Sequence, residues 1–211
     1  MKLLFIVDPL AGLKPYKDSS VAMMRAAVAR GHAVFAAEAS QLHIASGIAC
    51  TACAALEVRA DDDWYRVTQS DVRALKDFDA VVMRTDPPVD TDYLLATHLL
   101  GIAETNGARV LNRPAALRDF NEKLAILNFP QFVAPTLVAA DAANIGRFLA
   151  EHRDIIVKPL TEMGGSGIFR LTQSDLNRNA ILETLTQRGR RAIMAQRYLP
   201  EIQDGDKRNA I

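Results

Sequence analysis

The sequence predicts an α/β protein in which a larger α/β unit is followed by a small α+β unit. Short apolar runs with β-branched residues alternate with amphipathic helical patterns, which is typical of a parallel sheet covered by helices. After Pro130 and Pro135 the alternation restarts with shorter elements around a glycine-rich turn. These observations place a first domain at residues 1–121 and a second at residues 122–211.

The composition excludes several classes of function. Hydrophobic residues make up 49% and charged residues 24% of the 211 positions, which is ordinary for a globular protein. The 25 basic residues are balanced by 25 acidic ones, so no global positive field favours nucleic acid or an anionic membrane as a partner. The apolar runs are shorter than the roughly 20 residues that span a bilayer. We expect a cytoplasmic protein with neither kind of partner.

The first unit shows the elements of a sheet with covering helices. Predicted strands occupy residues 3–7, 33–37, 80–84 and 110–111, and a predicted hairpin joins residues 42–44 to 56–58. Predicted helices occupy residues 21–30, 71–76, 90–106 and 115–127. Asp86-Pro87-Pro88 forms a rigid turn after the third strand. Ligands of open α/β sheets bind at the carboxyl ends of strands, so this turn marks a candidate binding edge.

The second unit combines short strands with two helices. Predicted strands occupy residues 136–139, 155–158, 168–171 and 192–197, and predicted helices occupy residues 142–152 and 179–188. The glycine-rich turn lies between the second and third of these strands. This order indicates a small α+β unit.

Cys50 and Cys53 have the C-x-x-C spacing of redox and zinc motifs. A redox pair belongs at the start of a helix, whereas residues 45–58 are rich in Ala and Thr and carry no capping box. Zinc needs about four ligands, and only His32 and His43 are near in sequence. We interpret the pair as ordinary small hydrophobic residues and expect neither a redox nor a zinc function.

The sharpest local signal is the glycine-rich run at residues 163–167. Its three glycines allow backbone N–H groups to point into one concavity that holds phosphate oxygens, although a plain hairpin turn has the same composition. The run matches neither the P-loop nor the dinucleotide motif. Lys158 ends an apolar strand just before it, where an ammonium suits a polyphosphate, or where a surface lysine simply covers apolar surface.

Six blocks, in order, resemble the bacterial glutathione synthetase family of ATP-grasp ligases. They are KDSS (17–20), VVMRTDPPVDT (81–91), NRPAALRDFNEKL (112–124), DIIVKPLTEMGGSGIFR (154–170), AQRYLP (195–200) and DGDKR (204–208). The resemblance implies a Rossmann-like N-terminal (pre-ATP-grasp) domain followed by a small α+β ATP-grasp lid subdomain. It also implies ATP-dependent ligation of γ-glutamylcysteine and glycine through an acyl phosphate, and a homo-oligomer. The alternatives are another ATP-grasp peptide-forming ligase, or a non-catalytic module that binds nucleotide or peptide.

The resemblance also implies which residues bind the nucleotide phosphates. Lys123 and Lys158 match the two lysines that clamp the phosphates. Gly164, Gly165 and Ser166 match the small loop that covers them.

The rest of the nucleotide site follows from the last two blocks. Gln196, Tyr198 and Leu199 match the hinge that receives adenine, and Asp206 is the candidate for the ribose hydroxyls. Arg208 is the candidate catalytic residue, because its planar fork suits the transferring phosphate or the substrate carboxylate.

The first domain matches the family at a peptide-binding set. Lys17, Asp18 and Ser19, together with Arg84 and Asp86, would face the peptide substrate. Asp18 and Ser19 serve equally well as plain caps of the helix that follows them.

The family continues beyond the DGDKR block into a segment that supplies the ligands for Mg²⁺. The sequence ends at Ile211, so we assign no metal ligand and place the expected ones beyond residue 211. Phosphoryl transfer depends on a metal that bridges the phosphates, and we expect the 211-residue chain alone to be incomplete for catalysis.

Overall fold

A seven-stranded sheet with helices forms the first unit, residues 1–119. In the computed structural model, which describes residues 1–205, its strands are β1 (Lys2–Ile6), β2 (Ala33–Ala37), β3 (Leu42–Ala45), β4 (Ile48–Val58), β5 (Tyr65–Ala74), β6 (Ala80–Met83) and β7 (Val110–Leu111). Its helices are α1 (Ser19–Ala29), α2 (Thr91–Thr105) and α3 (Pro114–Asp119). Strands β2, β1, β6 and β7 are parallel, and β4 extends the sheet beyond β2 with antiparallel partners β3 and β5.

Alternate residues of β1 face two hydrophobic cores. Leu4 and Ile6 pack in the core that includes Leu100 of α2, whereas Phe5 packs in the core that includes Met24 of α1. Because helices cover both faces, the central strand reads as a continuous apolar run in the sequence. The predicted central strands are therefore found close to their expected positions.

The second unit, residues 120–211, is built on a four-stranded antiparallel sheet. Its described elements are β8 (Thr136–Ala139), α4 (Ala142–His152), β9 (Asp154–Pro159), β10 (Phe169–Thr172), α5 (Arg178–Leu185) and β11 (Ile193–Arg197). The strand order is β10-β9-β11-β8. Ile155 and Val157 of β9 are buried in the core with residues of α4 and α5. The intervening Ile156 and Lys158 consequently face the opposite side of the sheet.

Two sequence predictions in the first unit are wrong. Residues 71–76 do not form a helix, because β5 runs to Ala74 as the antiparallel partner of β4 and only a single 3-10 turn, Leu75–Asp77, follows. The hairpin predicted between residues 42–44 and 56–58 instead pairs β3 with residues 48–51, the first part of β4. Both differences have one physical reason: β4 is long enough to pair with β3 and β5, and pairing between separate segments outweighs local propensity.

The helix predicted at residues 115–127 is also wrong in its extent. Helix α3 ends at Asp119, and a 3-10 turn at Ala125–Asn128 follows separately. Between them the Asn121 side chain accepts hydrogen bonds from the N–H groups of Lys123 and Leu124. Asparagine offers the backbone this alternative to a helix, so a turn forms where the apolar pattern alone predicts continuation.

No helix within residues 1–205 is long and apolar enough to cross a membrane.

Candidate functional site

A cavity of about 740 Å³ lies on the side of the second unit's sheet that faces away from α4 and α5. Its volume is in the usual range for small-molecule sites, which are mostly apolar with a few polar groups. Its apolar lining residues include Ile126, Phe129, Phe132, Val133, Ile156, Ile168, Leu199 and Ile202. Three of the site residues predicted from the sequence, Lys158, Gln196 and Tyr198, bring polar groups to this cavity.

The floor of the cavity consists of cross-strand pairs. Lys158 of β9 lies opposite Met194 of β11, and Ile156 lies opposite Gln196. Gln196 in turn lies opposite Thr136 of β8, and its Nε2 donates to the Thr136 Oγ1 at 2.9 Å. This hydrogen bond holds the Gln196 side chain across the sheet.

Lys158 lines this cavity, and the charge of a second lysine, Lys123, acts on it. Burial lowers the pKa of Lys158 below its ordinary value, and the nearby ammonium of Lys123 lowers it further, while Glu122 acts in the opposite direction. Lys123 forms an ion pair with Glu122, its Nζ lying 2.8 Å from Oε1, and donates to the carbonyl oxygen of Glu162. Within residues 1–205, no carboxylate lies within ion-pair distance of Lys158. An anion beside Lys158 would favour its charged form and so raise its pKa against both of these effects.

Asn121 positions Lys123, and sequence reasoning missed it. Its Oδ1 accepts from the N–H of Lys123 at 3.0 Å and from that of Leu124 at 3.1 Å. Its Nδ2 donates to the carbonyl of Leu160 at 2.9 Å, which ties the turn to the chain just after β9. The available signal was the preference of Asn for bonding the backbone two residues ahead.

The glycine-rich loop connects β9 to β10 in a conformation that requires glycine. Gly164, Gly165 and Gly167 have φ values of 64°, 83° and 68°. Gly167 is also sterically constrained, because a Cβ atom there would lie 2.8 Å from Cγ of Pro159. The amides of all three glycines have no hydrogen-bond partner among residues 1–205, whereas Ser166 donates its N–H to the Met163 carbonyl at 3.2 Å. Such unpaired amides suit phosphate oxygens.

The hinge after β11 presents unpaired backbone groups to the same cavity. The N–H of Arg197 donates to the carbonyl of Pro135, and that of Tyr198 donates to the carbonyl of Asp154, both at 3.0 Å. The next amide, that of Leu199, has no partner in the described part of the chain, and neither does the Tyr198 carbonyl. A free donor beside a free acceptor matches the hydrogen-bonding edge of a nucleobase.

The residues predicted to face the peptide substrate differ in their contacts within the first unit. Asp18 accepts from the N–H groups of Ser20 and Val21, at 2.7 and 3.2 Å, so its carboxylate caps α1. Lys17 and Ser19 are exposed beside it. Arg84 follows β6 and donates from Nε to Ser20 Oγ at 3.2 Å, while its terminal nitrogens have no partner within residues 1–205.

Asp86, two residues after Arg84, is influenced by two further carboxylates, those of Asp8 and Asp18. The N–H of Asp86 donates to Asp8 Oδ2 at 3.0 Å. Partial burial raises the pKa of Asp86, and the carboxylates of Asp8 and Asp18 raise it further, against the lowering effect of Arg84. Asp8 was missed by the sequence analysis, although its place at the carboxyl end of β1 was a signal.

A cavity of about 520 Å³ adjoins this cluster in the first unit, with Asp8, Thr85, Asp86 and Tyr93 among its lining residues. The Thr85 hydroxyl oxygen is buried and has no hydrogen-bond partner in the described structure. Burial raises the pKa of Tyr93, on which Arg84 and Asp86 act in opposite directions. Sequence reasoning missed Thr85 and Tyr93, because α2 brings Tyr93 to the turn only in the folded chain.

Asp206 and Arg208, the candidates for the ribose and the transferring phosphate, lie outside the described residues. Within the described residues no three His, Cys, Asp or Glu side chains are grouped as a metal site.

The two cysteines fit the interpretation of small structural residues. They lie three positions apart in β4, so their side chains point to opposite faces of the sheet. Burial raises the pKa of the Cys53 thiol to about 11, and the Asp71 carboxylate contributes in the same direction. A buried, protonated thiol is a poor nucleophile.

The fold is that of ATP-grasp ligases. The structure is similar to a RimK domain ATP-grasp protein from Sphaerobacter thermophilus, with a TM-score of 0.61 and 19% identity over 95% of this chain and 64% of that one. It is also similar to the D-cycloserine synthetase DcsG, with a TM-score of 0.62 and 18% identity over 95% of this chain and 60% of that one. The predicted fold class is confirmed.

Family models show which family of ATP-grasp proteins the chain matches. The prokaryotic glutathione synthetase N-terminal domain matches residues 1–118, and the ATP-grasp domain of the same family matches residues 122–211. The chain belongs to the prokaryotic glutathione synthetase family. The family and enzyme class predicted from the motifs, an ATP-dependent carboxylate-amine ligase, are thus confirmed.

Similar curated proteins support the predicted function. The chain is 53% identical to the glutathione synthetase of Neisseria meningitidis serogroup B and 55% identical to that of Bordetella pertussis, covering 99% of this chain and 67% of each relative. It is 46% identical to the glutathione synthetase of Pseudomonas aeruginosa, covering 66% of that protein. The chain therefore spans about two thirds of the length of these relatives.

Proposed function

We propose that this chain carries the nucleotide-binding lid and a peptide-binding edge for the ATP-dependent ligation of γ-glutamylcysteine and glycine. The observation that carries the proposal is the half-buried Lys158, which lines an apolar cavity and has no paired carboxylate in the described structure, while the charge of Lys123 acts on it. Two ammonium groups in such a place favour a polyanion.

In this proposal the nucleotide lies along the sheet of the second unit. Adenine occupies the apolar cavity and bonds the free Leu199 amide and Tyr198 carbonyl. The phosphates extend toward Lys158 and Lys123, and the free amides of the glycine-rich loop cover them. Asp206 and Arg208 keep their proposed roles at the ribose and at the transferring phosphate.

The proposed reaction has two steps. The cysteinyl carboxylate of γ-glutamylcysteine attacks the γ-phosphorus of ATP, which forms an acyl phosphate and releases ADP. The glycine amine then attacks the acyl carbon, and inorganic phosphate leaves as the peptide bond forms. The lysines hold the phosphates and offset charge that develops on their oxygens.

Family membership implies Mg²⁺ in this reaction. The described residues offer no grouping of three metal-ligating side chains, so we assign no Mg²⁺ ligand among them.

The first unit supplies groups of both signs for the peptide. The unpaired terminal nitrogens of Arg84 suit a substrate carboxylate, because a guanidinium binds carboxylates bidentately. Asp86 and Asp8 suit an ammonium group. Asp18 acts as a helix cap, and exposed Lys17 and Ser19 remain the candidates beside it.

Of the two ligase functions considered, we propose glutathione formation and not the ligation of a different amino-acid acceptor. Identity to curated glutathione synthetases is 46% and 53% in the two examples from Pseudomonas and Neisseria, against 18% to D-cycloserine synthetase. We also propose a cytoplasmic homo-oligomer. Two free thiols, Cys50 and Cys53, suit a reducing compartment, and sedimentation analysis tests the oligomeric state.

The test is product formation. Joined to the remaining C-terminal segment of a curated relative, the chain should convert ATP, γ-glutamylcysteine and glycine in the presence of Mg²⁺ to glutathione and ADP in equal amounts, measured by mass spectrometry and coupled ADP detection. Residues 1–211 alone should form no glutathione. Lys158→Met should lower the rate of the joined protein at least tenfold, because a charge-assisted contact contributes about 1.5 to 3 kcal/mol. Lys76→Met, at an exposed lysine of the first unit, is the matched control. ADP release that ignores both substrates would contradict the proposal.

A further inference from the structure

Strand β10, which follows the glycine-rich loop, carries Arg170. This arginine lies outside the cavity lining and contacts the hinge that follows β11. Arg170 of β10 binds the Asp154 carboxylate in a bidentate ion pair, with Nη2 2.7 Å from Oδ2 and Nε 3.0 Å from Oδ1. Its guanidinium carbon also lies 3.7 Å from the centroid of the Tyr198 ring. Arg170 thus contacts one residue of β9 and one residue of the hinge.

Asp154 completes the arrangement through its backbone. The carbonyl of Asp154 accepts the N–H of Tyr198 at 3.0 Å, while its carboxylate accepts from Arg170. Tyr198 is therefore held at two points, its amide by Asp154 and its ring by Arg170. The next backbone groups, the Tyr198 carbonyl and the Leu199 amide, are the free ones at the cavity.

The register explains why Arg170 is in position to do this. Arg170 pairs with Ile156, which pairs with Gln196, which pairs with Thr136, so one row crosses all four strands on the cavity side of the sheet. The inner members of the row, Ile156 and Gln196, line the cavity. Arg170 ends the row beside Tyr198 and lies outside the cavity lining.

We propose that Arg170 is a positioning residue for the nucleobase: it stacks on Tyr198 and fixes the hinge whose free backbone groups recognise adenine. This inference rests on the proposed nucleotide site and adds a residue that touches neither phosphate nor base. Its contribution comes from geometry more than from the ion pair, since the Arg170 side chain is 48% exposed and exposed pairs contribute little.

The proposal predicts that removing the Arg170 side chain lowers the affinity for ATP more than the affinity for a phosphate chain without a base. Arg170→Ala should weaken ATP binding about 3- to 30-fold, the range expected from losing a cation–π contact of about 0.7 to 2 kcal/mol. Binding of inorganic tripolyphosphate, which has no base, should change less than about twofold, within the usual error of additivity for independent sites. Arg170→Lys should be intermediate, because lysine keeps the charge and loses the planar, bidentate geometry.

The experiment is calorimetric titration of the chain with ATP and, separately, with tripolyphosphate. Arg147→Ala, at an exposed arginine of α4, is the matched control and should leave both affinities unchanged. In a Tyr198→Ala background the Arg170→Ala change should have no further effect on ATP, which assigns its action to the ring.

The results for ATP and for tripolyphosphate test the role of Arg170 and the nucleotide site separately. Equal losses for ATP and tripolyphosphate, as from partial unfolding, would overturn the positioning role, and so would unchanged ATP affinity. A wild-type chain that binds neither ligand would overturn the proposed nucleotide site itself. Because the ATP-to-tripolyphosphate ratio cancels a change in the folded fraction, the test remains valid for a destabilised variant.

Discussion

Charge is arranged in opposite ways at the two candidate binding regions. In the second unit the ammonium of Lys158 faces an apolar cavity, and no carboxylate in the described structure pairs with it. In the first unit the guanidinium of Arg84 and the carboxylates of Asp8 and Asp18 all act on the carboxyl group of Asp86, so charges of both signs occur together. A polyphosphate carries one sign of charge, whereas a peptide with ammonium and carboxylate groups carries both. The charge pattern of each region therefore matches a different substrate class.

The largest expected effects come from removing one positive charge from each region, which tests whether each region binds a different substrate. Lys158→Met should weaken ATP binding about 10- to 150-fold, because a charge-assisted phosphate contact is lost, and should leave γ-glutamylcysteine binding unchanged. Arg84→Met should do the reverse. Calorimetry with each ligand measures both effects. If either variant lost both ligands equally, the assignment of one substrate to each region would be wrong.

The glycine-rich loop offers the next largest effect, because its glycines differ in their surroundings. Gly167→Ala combines a φ of 68° with a Cβ that would lie 2.8 Å from Cγ of Pro159. Gly164→Ala has a similar φ of 64° but open space. We expect Gly167→Ala to destabilise the protein by about 1 to 3 kcal/mol and Gly164→Ala by less. Urea unfolding measures both, and equal losses would contradict the steric reading.

The dependence of ATP affinity on pH tests whether the charge of Lys158 contributes to ATP binding. The pKa of Lys158 lies below its ordinary 10.5 in the free protein, and a bound polyphosphate raises it again. Above neutral pH, where the terminal phosphate of ATP is fully ionised, ATP affinity should stay constant at first and should fall as pH rises through the lowered pKa of Lys158. Calorimetry across the alkaline range should show this decline in the wild type and a flatter profile in Lys158→Met. An identical profile in both would exclude Lys158 as the titrating group.

The smallest expected effect concerns the buried thiol of the first unit. The pKa of Cys53 rises from 9.0 to about 11 on folding, so the unfolded chain ionises first. This contribution to stability is complete below pH 9 and is lost progressively as pH approaches 11. Urea unfolding of Cys53→Ala should show a shallower decline over that interval, whereas Cys50→Ala should keep the slope of the wild type. Equal slopes in all three proteins would contradict a protonated Cys53.

The parts of the fold that could be predicted are those with a local signal. The continuous apolar run of β1 and the break at Asp8 and Pro9 predict a buried strand. The long strand β4 carries no such signal, because its alanines have low strand propensity and its stability comes from pairing with β5 and β2. Pairing between distant segments is not visible in a local pattern.

The site residues also divide into those with a local sequence signal and those that come together only in the folded chain. Lys158 and the glycines that follow it form one sequence motif and were predicted together. Asp8, Thr85 and Tyr93 lie near one another only because separate elements end at the same edge of the sheet. Asn121 was adjacent to a predicted lysine, but its role depends on the carbonyl of Leu160, 39 positions away.

The alternation along β9 has a consequence for folding as well as for binding. A slip of one residue against its neighbours would turn Lys158 into the core with Ile145 and Leu149, and would send Val157 out toward the cavity. Burying an unpaired ammonium costs several kcal/mol, about the scale of the net stability of a domain. The lysine that suits a phosphate thereby penalises every odd-numbered misalignment of the strand. An apolar residue at this position would remove that penalty, so the proposed phosphate contact and a unique strand register both depend on the same side chain.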